Sequence, residues 1–345
     1  MITRILPSDF SSIQIASDLL KIGRLVAFPT ETVYGLGANG LDAEACAKIY
    51  EAKGRPSDNP LILHVADRAM IDRAATVTEM AERVLAAFAP GPVTVILPKR
   101  DEVPPRVTGG LSTVGIRMPD SDIARALIRA AGVPIAAPSA NRSGRPSPTT
   151  AAAVFADMEG KIPLILDGGP CRFGVESTIV DCTGERAEIL RPGAITREML
   201  AEVLGELAPP PILREEEAPR APGMKYTHYA PLAPLTLIDA PREKLYDAFC
   251  VAVREAAEKS KRPGVIVSRE LAEALSALVS PERIAVYGDA GNLSAMAANL
   301  YESLRYFDDA DADVLFAETV EEKGLGVAIM NRLKKAAGGR IRFID

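Results

Sequence analysis

The chain has 345 residues, 48% of them hydrophobic and 25% charged, with a formal net charge of −6. That length suits two domains, each able to bury a core of its own. The acidic balance excludes a strongly basic surface for nonspecific capture of nucleic acid, so any anion site must be local.

The first segment, MITRILPSDFSSIQIASDLLK, interrupts its apolar residues with Pro7, Asp9 and Asp18 and so lacks the apolar core of a secretion signal. No stretch approaches the ~20 uninterrupted apolar residues of a membrane helix, so a cytoplasmic protein with no membrane partner is expected. The cysteines, Cys46, Cys171, Cys182 and Cys250, form no C-x-x-C pair, and the histidines are only His64 and His228. A zinc site or a disulfide framework is not predicted, and the thiols are expected to be reduced.

In chain order, 23–29, 60–66, 93–98, 113–118, 133–140 and 162–167 are short apolar runs that read as strands. Segments 42–53, 78–89, 121–131 and 196–206 carry apolar residues at helical spacing. TIVDCT and AEILRP lie close together near 178–192, and this irregular alternation predicts a twisted mixed sheet with helices over 1–207. Residues 208–234 are rich in proline and charge and read as a linker, longer than a compact connection requires. Beyond it, strands and helices alternate regularly through 235–345, which predicts a small Rossmann-like parallel α/β domain. No G-x-G-x-x-G follows its first strand, so a dinucleotide-binding role there has no support.

Five segments carry candidate chemistry. PTETVYGLG (29–37) places Thr30, Glu31 and Thr32 at a strand end, where ligands of α/β sheets collect; an ordinary strand-to-helix turn would look the same. In KGRPSDNPL (53–61), Lys53 and Arg55 leave a helix together on a proline-stiffened loop with Ser57 and Asn59, which suits a polyphosphate. A basic helix C-terminus is the plainer reading. His64 alternates away from Leu61, Leu63 and Val65, and a lone strand histidine is more often structural than catalytic.

Thr113 and Arg117 share one face of their strand. A buried arginine requires a partner, either a bound carboxylate or an internal Asp or Glu. In APSANRSGRPSPT (137–149), Ser139, Asn141 and Ser147 offer hydrogen-bonding groups for phosphate or ribose, unless this is merely a polar loop. Finally, Ser177 opens the strand in GVESTIVD, and Arg191 of LRPG follows the next strand. No Walker A sequence occurs, which disfavours a P-loop NTPase.

Taken in order, PTETVYGLG, KGRPSDNPL, TVGIRMP, PSAN, ESTIVD and LRPG resemble the YrdC-like family. With GMKYTHYAP and the α/β domain after it, the chain is similar to the two-domain threonylcarbamoyladenylate synthases of that family over nearly its whole length. The resemblance implies a nucleotidyltransferase that converts L-threonine, bicarbonate (or CO2) and ATP to threonylcarbamoyl-AMP and pyrophosphate. The product serves threonylcarbamoyladenosine formation in tRNA.

By motif, Thr32, His64, Arg117 and Ser177 would contact threonine. Arg55, Asn59, Thr113, Ser139, Ser147 and Arg191 would contact ATP, with Lys53 and Asn141 near the phosphates and Lys53 and Arg55 as the catalytic cations. Mg2+ is expected with ATP, with no metal site built from protein residues. A downstream tRNA-modifying transferase complex is an expected partner, and tRNA contact is expected to be weak or indirect. Tyr226, His228 and Tyr229 would form a lid over the site, against the simpler reading that they dock two domains. Two alternatives stand beside this one: another carbamoyl-adenylating transferase, although no acylphosphatase-like or Cys-rich segment is present, and a non-catalytic RNA-binding module.

Overall fold

The computed structural model describes residues 1–211, 219–224 and 228–344. Two compact units divide the chain. The first comprises Met1–Ser143 and Ser147–Tyr226; the second comprises Gly144–Pro146 and Thr227–Asp345.

The first unit begins with β1 (Arg4–Pro7), α1 (Phe10–Lys21), β2 (Val26–Phe28), β3 (Gly35–Asn39), α2 (Ala43–Lys53) and β4 (Ile62–His64). It continues with α3 (Arg68–Ala74), α4 (Glu79–Phe88), β5 (Val93–Pro98), α5 (Pro105–Thr108), β6 (Thr113–Arg117) and α6 (Asp122–Ala131). It ends with β7 (Ile135–Ala136), α7 (Ala151–Met158), β8 (Leu164–Asp167), β9 (Thr178–Asp181), β10 (Glu188–Arg191) and α8 (Arg197–Leu204). The helices start where the sequence supplies an acceptor: Asp9, Asp42, Asp67, Thr78, Ser121, Thr150 and Thr196 each cap a first turn through the side chain.

The ten strands form one mixed sheet in the order β1-β8-β2-β3-β7-β4-β6-β5-β9-β10. Neighbours β4 and β6 run parallel, as do β5 and β9, whereas β7 is antiparallel to β4 and β5 to β6. The predicted strands and helices are present. The plainer reading of PTETVYGLG, an ordinary strand-to-helix turn, is not met, because Gly35–Asn39 pairs back on β2 as an antiparallel strand. Two glycines make that run weak by propensity, and burial on both sides decides for strand.

Alternation divides the side chains between two faces. On one face, α2, α4, α7 and α8 cover Leu61, Leu63, Val95, Val114, Ile116 and Val180. On the other, α1 and α6 cover only the β1-to-β7 half, packing on Val26, Phe28, Ile135, Leu164 and Leu166. Over β4, β6, β5 and β9, that second face carries Ile62, Ile96 and Ile179, which among the described residues of this unit cluster with Leu190, Ala221 and Met224 and with no helix. Within the unit this helix-free face also carries His64, Thr94 and Arg117.

The second unit runs β11 (Leu235–Asp239), α9 (Leu245–Glu258), β12 (Pro263–Ser268), α10 (Arg269–Leu275), β13 (Ile284–Gly288), α11 (Leu293–Tyr306), β14 (Val314–Glu318), α12 (Leu325–Ala336) and β15 (Ile341–Phe343). All its strand pairings are parallel, in the order β13-β12-β14-β11-β15. The packed residues of α9 and α10 share one core cluster with Ile238, Val265 and Val267. Gly144–Pro146 belongs to this unit: Arg145 pairs with Asp308, Arg305 donates to the Pro146 carbonyl, and the Ala230 N–H donates to the Gly144 carbonyl. All four cysteines are buried. Among the described residues no helix is long and apolar enough to cross a membrane.

Candidate active site

The floor of the site is the paired ends of β4 and β6. Register places His64 beside Arg117, and both side chains are buried. His64 lies edge-on to Phe28, with ring centroids 6.2 Å apart. Burial, and then the Arg117 charge, push its pKa down to about 3, so the ring is neutral at physiological pH. Its Nδ1 is buried and has no hydrogen-bond partner.

Sequence left open whether Arg117 meets an internal acid or a bound carboxylate. The structure supplies an internal one: Glu31 Oε1 lies 2.7 Å from Arg117 Nη2, with the side chains 2% and 5% exposed. The approach is an ion pair off hydrogen-bond alignment. Both Glu31 oxygens and Arg117 Nε and Nη2 are therefore buried without a hydrogen bond. Buried polar atoms normally find partners, and a cluster that does not is a place for a ligand to complete. Glu31 was visible only as a polar residue at a strand end. The signal that selects it is the need of Arg117 for an anion.

Beside Glu31, Thr32 is fully buried, and its Oγ1 lies 2.9 Å from Thr30 Oγ1. Thr30 in turn donates to the Val33 carbonyl at 2.7 Å, which fixes the turn between β2 and β3. Ser177 lies just before β9 and shares a 2.8 Å hydrogen bond with Thr94 of β5, a residue that sequence reasoning did not single out. Arg191 reaches Ser177 from β10. A register shift between Ile189 and Arg191 breaks the alternation there. Leu190 and Arg191 consequently both serve the helix-free face. Gly193 follows, and a Cβ on it would stand 2.4 Å from Thr178 N, so only glycine permits this close approach.

The basic loop after α2 divides its two cations. Lys53 is buried, and its Nζ donates to the carbonyls of Ser139 at 2.5 Å and Asn141 at 2.6 Å. Gly54 closes the helix with φ 60°, turning Arg55 away from Lys53. Arg55 Nη2 donates to the carbonyls of Asn59 at 3.4 Å and Pro60 at 3.1 Å. Asn59 is buried, with Oδ1 lacking a hydrogen-bond partner. Thr113, at the opposite end of β6 from Arg117, is half-buried.

The segment after β7 is held by backbone bonds from Leu36 to Pro138 and from Ala140 to Tyr34. Ser139 Oγ donates to Asn141 Oδ1 at 2.5 Å. Ser147 Oγ donates to Glu176 Oε1 at 2.7 Å, tying this loop to the one before Ser177. The contacts join Glu31, Arg117 and His64 in one buried group. Lys53 holds the Ser139–Asn141 segment, Ser147 meets Glu176, and Arg55 bonds within its own loop. Ser177 and Arg191 adjoin Thr94 and the β9–β10 edge.

The linker reaches this unit by a route that sequence reasoning missed. Ala221 and Met224 are buried on Ile62, Ile96, Ile179 and Leu190. Arg191 Nη1 donates to the Pro222 carbonyl at 3.5 Å. Arg220 anchors the segment with ion pairs to Asp181 at 2.9 Å and Glu188 at 2.6 Å. Of the three residues expected to form a lid, Tyr226 lies outside the described residues. His228 and Tyr229 stack together in the second unit, and Tyr229 also stacks on Tyr301 with ring centroids 5.3 Å apart. Tyr229 takes φ 66°, an uncommon backbone state for an aromatic residue.

A family model named for Sua5, YciO and YrdC, and described as telomere recombination, matches residues 18–193, just over half of the chain. The chain belongs to this family. A second model, described as the C-terminal domain of threonylcarbamoyl-AMP synthase, matches residues 195–338. The threonylcarbamoyl-AMP synthase of Bacillus subtilis is 47% identical, covering 99% of this chain and 97% of that protein. The Pyrococcus abyssi protein of the same name is 46% identical, covering 95% of each. A crystal structure of the P. abyssi family member, complexed with L-threonine, superposes with a TM-score of 0.92 at 44% identity over 100% of this chain and 99% of that one.

Proposed function

We propose that this chain joins L-threonine, bicarbonate (or CO2) and ATP into threonylcarbamoyl-AMP and releases pyrophosphate. The observation that carries this reading is the buried group of Glu31, His64 and Arg117, in which both Glu31 oxygens, His64 Nδ1 and Arg117 Nε and Nη2 lack hydrogen bonds. A small zwitterion fits that group. The synthases that carry this activity in their names match the chain nearly end to end.

The residues divide the work. Arg117 would take the threonine carboxylate, with Thr32, His64 and Ser177 around the rest of the molecule. Arg55, Asn59, Thr113, Ser139, Ser147 and Arg191 would hold ATP. Lys53 would act through the carbonyls it grips, keeping Ser139 and Asn141 in place, and would not touch a phosphate directly. Carboxylation of the threonine amine by CO2, with loss of a proton, gives an anionic carbamate, whose oxygen displaces pyrophosphate from the α-phosphorus. Positioning and charge neutralisation do most of the work in such a step.

Mg2+ would arrive with ATP. Among the described residues no three His, Cys, Asp or Glu side chains converge on one point. Such an ion would come bound to the nucleotide and would supply charge neutralisation at the leaving pyrophosphate. The linker segment 220–224 would close the helix-free face of this unit, keeping water from the carbamate and the adenylate. In the cytoplasm the product would pass to the complex that transfers threonylcarbamoyl to adenosine in tRNA, with tRNA touching this chain weakly or indirectly.

Pyrophosphate release by the purified full chain, with threonine and bicarbonate omitted in turn, tests the reading. Release is expected only when both are present with ATP; release in the absence of either would overturn it.

A further inference from the structure

The Glu31–Arg117 pair bears on which molecules the site admits, an inference that rests on the reading of this group as the amino-acid site. The two side chains carry opposite charges, both are buried, and they stand 2.7 Å apart. His64 beside them adds no charge at physiological pH. The pair is therefore already neutral. A buried neutral pair accepts a neutral guest, because any net charge brought in is left without compensation in a medium that solvates it poorly.

A carboxylate alone would capture Arg117 and leave Glu31 as an unpaired buried anion. A zwitterion avoids this: its carboxylate takes Arg117 while its ammonium takes Glu31. The hydrogen-bonding state of the pair suits such an exchange. Both Glu31 oxygens are buried acceptors without a hydrogen bond, and Arg117 Nε and Nη2 are donors without one. The ion pair satisfies charge but not direction, and both groups stay available to a ligand that satisfies both.

We propose that Glu31 is the group that binds the α-ammonium of the amino-acid substrate. It restricts the site to zwitterionic α-amino acids by exchanging its contact with Arg117 for one with the ammonium. The role is substrate recognition; no proton transfer is assigned to Glu31.

The test uses titration calorimetry on the full chain with three probes: L-threonine, 3-hydroxybutanoate (the same skeleton without the amine) and L-threoninamide (the same without the carboxylate). Wild-type protein is expected to bind threonine at least ~30-fold more tightly than either analogue, because each analogue leaves one buried charged group unpaired. Wild-type protein that binds 3-hydroxybutanoate within about threefold of threonine would overturn the proposal without any variant.

Glu31→Gln then inverts the charge balance to +1. It is expected to lose threonine affinity by roughly 30-fold and to gain affinity for 3-hydroxybutanoate by roughly tenfold. A variant that is merely misfolded loses both ligands, and in that event Glu31→Asp decides: it keeps the charge, and threonine must remain preferred. Glu31→Gln that keeps threonine affinity and still rejects 3-hydroxybutanoate would refute the role of Glu31. Wild-type protein that binds none of the three probes would instead refute the amino-acid site itself.

Discussion

Arg191 holds Ser177 through backbone and side chain at once. Its Nε and Nη2 donate to the Ser177 carbonyl at 3.2 and 3.0 Å, and Nη2 also donates to Ser177 Oγ at 3.2 Å. Ser177 Oγ is in turn 2.8 Å from Thr94 Oγ1. One guanidinium thus fixes a residue assigned to threonine while itself being assigned to ATP. Arg191→Lys keeps the charge but not the planar fork. It is expected to weaken both ligands together, each by roughly tenfold, as a lost charge-assisted hydrogen bond implies. Separate calorimetric titrations check this. Loss of ATP affinity alone would show that Ser177 is positioned without Arg191.

Lys53 is the site cation with the least freedom. It is buried, and it spends its donors on the Ser139 and Asn141 carbonyls. Lys53→Met preserves the length and apolar stem but strands those carbonyls, at a cost of about 1.5–3 kcal/mol. Thermal unfolding should show the loss, and the KM for ATP should rise while threonine binding without ATP stays unchanged. Lys53→Arg should not rescue, because a planar fork does not fit where one ammonium bridges two carbonyls. A normal KM for ATP in Lys53→Met would remove Lys53 from the nucleotide site altogether.

His64 gives stability a pH dependence of definite sign. Its folded pKa is depressed to about 3 by burial and by Arg117, against an unfolded value near ~6.5. Above about pH 6.5 neither state binds the proton, and the full contribution of the neutral ring is present. As pH falls below that value the unfolded chain takes the proton first, and stability drops by at most ~1.4 kcal/mol per pH unit until the folded pKa is reached. Denaturation midpoints between pH 7 and pH 4 should fall for the wild type and fall less steeply for His64→Asn. Parallel slopes for the two proteins would place the acid sensitivity elsewhere.

The legible parts of this protein are those where local sequence and tertiary need agree. The strands Val93–Pro98 and Thr113–Arg117 are apolar runs that also turn Thr94 and Arg117 toward one face. The second sheet was legible as parallel because strand and helix alternate there without a break. What was hidden is non-local. β3 is a glycine-bearing strand that exists because β2 and β7 flank it. Glu31 acquires meaning only when Arg117, 86 residues later, is folded against it. Lys53 reads as a phosphate ligand in a basic loop until the Ser139–Asn141 turn arrives to occupy it. The shift that aims Arg191 depends on pairing between β9 and β10, which no spacing announces.

The linker makes the most graded prediction. Ala221 is fully buried and Met224 nearly so, on an apolar patch of Ile62, Ile96 and Ile179. Arg220 is partly exposed, and its pairs with Asp181 and Glu188 face solvent on one side. An aspartate at 221 would drive a charge into the patch and detach the segment. Met224→Ser removes about 1.5–3 kcal/mol of apolar burial. Arg220→Ala loses exposed pairs worth at most about 1 kcal/mol each. If this segment shields the adenylate from water, pyrophosphate released per threonylcarbamoyl-AMP recovered should rise in the order Arg220→Ala, Met224→Ser, Ala221→Asp. Threonine affinity should stay within about threefold of wild type throughout, because the described partners of these side chains are Asp181, Glu188 and the apolar patch. A ratio that stays near one in Ala221→Asp, with the protein folded, would mean that the segment packs on the sheet without sealing it.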